Sequence, residues 1–195
     1  AIIFKDENNG SVVGDPINNI IFLLNTTDKG EHWQQAAPNY FKSVLKEGEA
    51  IFASSNSNLA SKGNDQFLIS GGMASRLWMN GVARDLDILQ GGKSTGANSI
   101  AIAPNGNKLI IVGGDFANFK DSEKNIAGFN LFLTPNTELK HKSIRISKWA
   151  QRKNLGTPNG YKSGVTFLTN QLLVTCGTSG VDISKNSGKN WELIS

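Results

Sequence analysis

Six residues of this chain carry groups that could do chemistry or hold a polar ligand: Asp15, Glu49, Arg76, Asp115, Tyr161 and Lys162. Two carboxylates about 5 Å apart support retaining glycoside hydrolysis, and a wider pair leaves room for the water of the inverting reaction. Glu49 with Asp15 or Asp115 is the pair on offer. Tyr161 is the tyrosine placed to act as a nucleophile, since Tyr40 falls in a connection. Arg76 and Lys162 supply positive charge for a carboxylate or a sugar. Each residue also has a plain structural reading. Asp15 and Asp115 follow glycine and can cap turns, Arg76 can pair with a carboxylate to hold neighbouring structural units together, as blades of one fold, and Tyr161 can fill a channel. Apart from the adjacent Tyr161 and Lys162, they are far apart in sequence, so the fold has to gather them.

Other chemistries find little support. The 195 residues contain one cysteine, Cys176, which rules out an internal disulfide and a cysteine-based zinc site. It lies in the apolar run LLVTCG and reads as a buried, inert thiol. The two histidines, His32 and His141, have no metal-ligand spacing, and no metal or cofactor is expected. GGKSTGAN (91–98) lacks the spacing of a phosphate loop and no helix follows it. Twenty Lys and Arg against 16 Asp and Glu give a net charge of +4, scattered without a basic stripe, so no nucleic-acid partner is expected. No run of about 18 apolar residues could span a bilayer. The chain opens on an apolar, strand-like run with no signal peptide in it.

The elements that position the six residues are repeats. Thr26, Asn80, Thr134 and Ser184 each close a strand-like segment (IIFLLNTT, ASRLWMNG, FNLFLTPN, SGVDISKN), at spacings of 54, 54 and 50. Ahead of each segment stands a strand ending in Gly: SVVGD, FLISGG, LIIVGGD and LLVTCG. Ahead of those come IIF, IFAS, SIAIA and GVTFL, followed by Asn- and Gly-rich turns such as NSNLASKGND. HWQQA and WELIS add a fourth strand in the complete units. Four short antiparallel strands, repeated four times, describe the blades of a β-propeller; a β-sandwich would not repeat the landmarks in order. The expected units are about 1–38, 48–92, 97–149 and 160–195. NYFKSVLKEGE (39–49) has room for a helical turn in a connection.

TTDKGEHW and SKNSGKNW share one frame, 158 positions apart: Thr26, Asp28, Gly30 and Trp33 match Ser184, Asn186, Gly188 and Trp191. This frame resembles the Asp-box of sialidase-like propellers, also called the BNR repeat. There the Asp or Asn caps backbone N–H groups in the turn between a blade's third and fourth strands, Gly relieves the backbone, and Trp packs back between blades. The frame is lost in the middle units, WMNGVARDL and LTPNTELKH. The segments VVGDP, GEAIFASSN, GGMASRLW, VGGDF, NGYKSGVTF and CGTSGVDIS further resemble a bacterial group close to photosystem II assembly-factor-like proteins. Its members are often labelled oxidoreductase or glycosyl hydrolase. The resemblance implies a ring of six or seven blades, of which this chain supplies about four, and export to the periplasm or beyond.

It also implies that a site gathers where the second-to-third-strand connections crowd one rim around the axis. A sialidase would need three arginines, a Tyr with a Glu partner and an Asp. Of Arg76, Arg84, Arg145 and Arg152, only Arg76 is placed for that role. The leading expectation is therefore a non-catalytic propeller that binds a protein or carbohydrate through its rim, and the alternative is a glycoside hydrolase. The longest insertion, GGDFANFKDSEKNIAGFN, lies at that rim.

Overall fold

The computed structural model describes residues 1–52, 55–135, 142–145 and 152–195. Blade 1 is the meander β1 (Ile2–Phe4), β2 (Gly10–Val13), β3 (Leu23–Thr26) and β4 (Gln34–Gln35), paired in chain order. The lead-in to blade 2 contains β5 (Glu49–Ala50). That blade is β6 (Leu59–Lys62), β7 (Asp65–Ile69), β9 (Arg76–Met79) and β10 (Val82–Asp85), with β8 (Gly71–Gly72) between the second and third strands. Blade 3 holds β11 (Thr95–Ile102), β12 (Lys108–Asp115) and β13 (Ile126–Asn130). Its third strand is prolonged as β14 (Phe132–Pro135), which pairs with β15 (Lys142–Arg145). Blade 4 is β16 (Gly164–Phe167), β17 (Leu173–Gly177), β18 (Gly180–Ser184) and β19 (Glu192–Leu193).

The second and third strands fall where the repeat puts them. The first strand of blade 2 does not. Ile51 and Phe52, the described part of IFAS, lie in no strand; LASK is the first strand, and it turns at Gly63 (φ +60°) into β7. The connection expected from NSNLASKGND thus shrinks to a tight turn, and the residues before it become lead-in. Residues 39–48 form turns and bends, with no α-helix among the described residues. The third-to-fourth-strand turn of blade 3 (136–141, with His141) lies outside the described residues.

Period-two alternation explains how the blades pack. Along β12, Leu109 and Ile111 face blade 2 with Phe67, Ile69, Leu77, Ala97 and Phe129. The intervening Ile110 and Val112 face blade 4 with Val165 and Leu173. Blade 2 is sandwiched in the same way, because Leu68 and Trp78 point the other way, onto Val13, Ile21 and Leu23 of blade 1. A strand buried on both faces needs apolar residues in both registers, hence the unbroken KLIIV run. Each fully buried Leu or Ile contributes roughly 1.5–3 kcal/mol.

The free faces of the end blades differ. Ile2 (48%) and Phe4 (43%) are exposed on blade 1, and Ile194 (55%) on blade 4. Cys176 shares this condition: it is exposed, not buried, because it alternates with Leu173 and Thr175 and so points away from blade 3.

Candidate functional site

The rim where the second strands end is built from backbone. Glu49 pairs with Gly72, Gly71 with Gly96, and Gly96 with Gly114. The Lys162 N–H donates to the Gly113 carbonyl (2.9 Å), and the Ser163 N–H to that of Cys176 (2.8 Å). Lead-in segments and second-strand ends therefore alternate along one ladder that crosses from blade to blade. Contact at the crossings leaves no space for a Cβ. One added at Gly113 would strike the Gly96 carbonyl, and one at Gly177 the Tyr161 carbonyl. The glycines ending FLISGG, LIIVGGD and LLVTCG are required by this crossing rather than by a turn.

The ladder fixes how far apart the six residues are. Glu49, Gly72, Thr95 and Asp115 lie on successive strands, so Glu49 and Asp115 are three strand spacings apart, about 14 Å.

Glu49 is buried, and Arg76 beside it as well. The Arg76 Nε donates to both Glu49 oxygens (2.9 and 3.0 Å), and Nη2 donates to Oε2 and to the Val44 carbonyl (2.8 Å). The Ser70 hydroxyl and the Lys46 N–H also donate to Glu49. The guanidinium lies 4.4 Å over the Trp78 ring. Lys162 is fully enclosed and pairs with Asp182 (2.5 Å), donating also to the Gly180 carbonyl (2.8 Å). Both pairs tie a lead-in residue to the third strand of the same blade, with opposite polarity. Asp182 had no signal in the sequence, because its partner stands 20 residues earlier across a whole hairpin.

Tyr161 is buried, and burial raises its phenol, with an Asn98 hydrogen bond opposing. Asp115 is held below the usual carboxylate range by the Ser94 hydroxyl and by the Ala117 and Asn118 N–H groups that it caps. Asp15 is exposed on blade 1, where its charge acts on the Ala1 ammonium. The fold thus gathers Glu49 with Arg76 as one cluster and sets Lys162 with Asp182 in another.

Large apolar side chains stand open at this rim, among exposed polar residues such as Glu47, Asn118 and Lys120. Phe116 is 50% exposed, Met73 48% and Phe119 39%. Phe116 meets Phe52 and Tyr161 edge-on, at centroid distances of 6.4 and 6.2 Å. Sequence reading concentrated on charge and passed over these residues, although Phe116 and Phe119 stand in the longest insertion.

The two matching turns lie at the opposite rim and share their hydrogen bonds. The Thr26 hydroxyl donates to Asp28 (2.7 Å) and accepts from the Gly30 N–H (3.0 Å); Ser184 does the same with Asn186 (3.1 Å) and Gly188 (2.9 Å). Asp28 and Asn186 each accept the N–H four residues on (2.9 Å). Lys29 and Gly30, like Ser187 and Gly188, adopt positive φ. In blade 2 the frame is replaced by a two-residue Asn80-Gly81 turn (φ +48° and +78°), which needs no clasp. The first turn also brings Asp28, Glu31 and His32 within 4.8 Å of one another, but Asp28 spends both oxygens on Thr26 and His32.

No protein-family model and no curated protein matches this sequence. Among solved structures, the chain is similar to a GH74 enzyme of Niastella koreensis, with a TM-score of 0.54 and 10% identity over 96% of this chain and 28% of that one. The fold is a β-propeller. YCF48 bound to a D1 peptide is also similar (TM-score 0.49, 15% identity, 98% of this chain and 51% of that one). So is a GH43 endo-arabinanase from Bacillus licheniformis (TM-score 0.41, 19% identity, 93% and 68%). The propeller chain described here spans about half of the YCF48 chain and about a quarter of the GH74 chain. None of its described helices is long and apolar enough to cross a membrane.

Proposed function

We propose that this chain is a non-catalytic propeller whose rim binds a protein partner. One observation carries the reading: Glu49, Arg76 and Lys162 are consumed in buried pairs, while the large apolar side chains Phe116, Phe119 and Met73 stand exposed at the same rim. Aromatic residues and methionine are enriched at protein interfaces, and methionine adapts to varied apolar partners. The turns at Thr26–Trp33 and Ser184–Trp191 support their assignment as Asp-boxes, with an architectural role away from the rim. The exposed end faces support reading the four blades as an arc of a larger ring.

Selection from a display library of random extended peptides tests the reading. The expected outcome is enrichment of apolar and aromatic sequences whose binding falls at least about tenfold, roughly 1.4 kcal/mol, in Phe116→Ser or Met73→Ser and is unchanged in Phe4→Ser. Hydrolysis of aryl glycosides by the folded chain would instead support the hydrolase reading and end this one.

A further inference from the structure

On the opposite rim, between blades 1 and 2, lies a cavity of about 170 Å³ lined by Ser11, Asn25, Ser61, Asn64, Gln66 and Lys5, over Ile3 and Gly10. A directed chain of hydrogen bonds crosses the blade interface into it. The Tyr40 hydroxyl donates to the Gln66 Oε1 (2.9 Å), which leaves the Gln66 Nε2 to donate to the Ser11 hydroxyl (2.5 Å). Ser11 then donates to the Asn25 Oδ1 (2.7 Å). Burial, aided by the charge of Asp65, raises the Tyr40 phenol. Each link fixes the direction of the next, so the Asn25 Nδ2 points both its N–H groups away from this chain of bonds, with no protein partner among the described residues.

The lining selects the ligand class. Carboxamides and hydroxyls donate and accept alike, which matches sugar hydroxyls, and the Ile3 floor offers an apolar surface to the C–H face of a ring. No carboxylate or imidazole lines the cavity, so a metal finds no anionic or nitrogen ligand. Lys5 is the only charged side chain in the lining, against the arginine forks or multiple cations typical of anion sites. The volume falls below the roughly 300 Å³ at which drug-sized pockets begin. From these features we infer a second, rim-independent binding site for one neutral sugar unit, a hexose or N-acetylhexosamine, with Asn25 as its principal donor.

Titration of the full chain with glucose, galactose and N-acetylglucosamine, followed by amide NMR, tests the site, with sialic acid and inorganic phosphate run in parallel. The expected result is saturable shifts at the Asn25, Asn64 and Gln66 side-chain amides for a neutral sugar, with Kd of about 1–10 mM. Asn25→Ala should abolish the shifts. Tyr40→Phe, which frees Gln66 to flip, should weaken them by about fivefold, roughly 1 kcal/mol, while spectral dispersion shows both variants folded. Phe116→Ser should leave them unchanged, which separates this site from the rim. Absence of shifts up to about 100 mM sugar, tighter binding of the charged probes, or shifts that survive Asn25→Ala would overturn the inference.

Discussion

Glu49 owes its role to its surroundings. Buried, it accepts from a guanidinium, a hydroxyl and a backbone N–H, so both of its oxygens are committed within the protein. Removing its charge strands Arg76, which is equally buried. Glu49→Gln should therefore cost roughly 3–5 kcal/mol in urea unfolding, and Glu49→Leu with Arg76→Met should recover most of it. Pairing of Arg76 with a carboxylate was legible, because an arginine inside a strand-like run needs a partner. Which carboxylate was not, since that depends on how a lead-in of ten residues folds back. Asp28 tests the turn at the same scale. The His32 N–H, the Thr26 hydroxyl and the His32 ring hold its carboxyl below the usual range. A depressed folded-state pKa contributes stability that is fully present above about pH 4 and lost as pH falls through the folded value. Asp28→Asn, the residue that the fourth turn already uses at 186, should keep the clasp and flatten the pH dependence of Tm below about pH 4. An unchanged acid limb would show that the turn is not linked to folding.

At the scale of the element, the crossing glycines set what each strand tolerates. Gly113→Ala forces a methyl group into the Gly96 carbonyl and should cost about 1–3 kcal/mol or more, measured by thermal unfolding. Gly91, with open space around its Cβ position, offers a control whose cost is confined to its positive φ of +102°. Trp191 packs with Ile110, Val165 and Leu173 across the interface of blades 3 and 4, but it is only half-buried. Trp191→Ala should consequently cost about 1.5–3 kcal/mol, below the 3–5 kcal/mol of an enclosed indole. Its indole N–H has no partner among the described residues, so Trp191→Phe should be milder than Trp33→Phe, which loses a bond to the Gly30 carbonyl (3.0 Å). Apolar runs ending in Gly made the second and third strands readable. The first strand of blade 2 was missed because LASK carries little apolar signal; it is placed by pairing with DQFLI.

For the molecule as a whole, burial is graded along the arc. Blade 3 is covered on both faces and holds the two eight-residue strands, whereas blades 1 and 4 each keep one bare face. Native-state hydrogen exchange should be slowest in β11 and β12 and fastest in β4 and β19, with β1 and β18 between. Uniform protection would mean that the arc opens as a single unit. The repeat made the architecture legible because every blade must present similar faces to its neighbours. The open rim and the amide-lined cavity stayed hidden, since both are made by contacts between blades, which leave no period in the sequence.

That likeness carries a hazard. Similar blades can accept one another's segments while the chain is still partly folded. The two buried ion pairs offer a remedy beyond holding each blade shut. The lead-in is negative and the third strand positive in blade 2, and the signs are reversed in blade 4. A lead-in docked on the wrong blade would bury Glu49 against Asp182 or Lys162 against Arg76, and like charges brought together reject such a match. The reversed polarity thus penalises an exchange of the two lead-ins. The reciprocal exchange Glu49→Lys with Lys162→Glu preserves composition and net charge, and it should nevertheless cut refolding yield sharply.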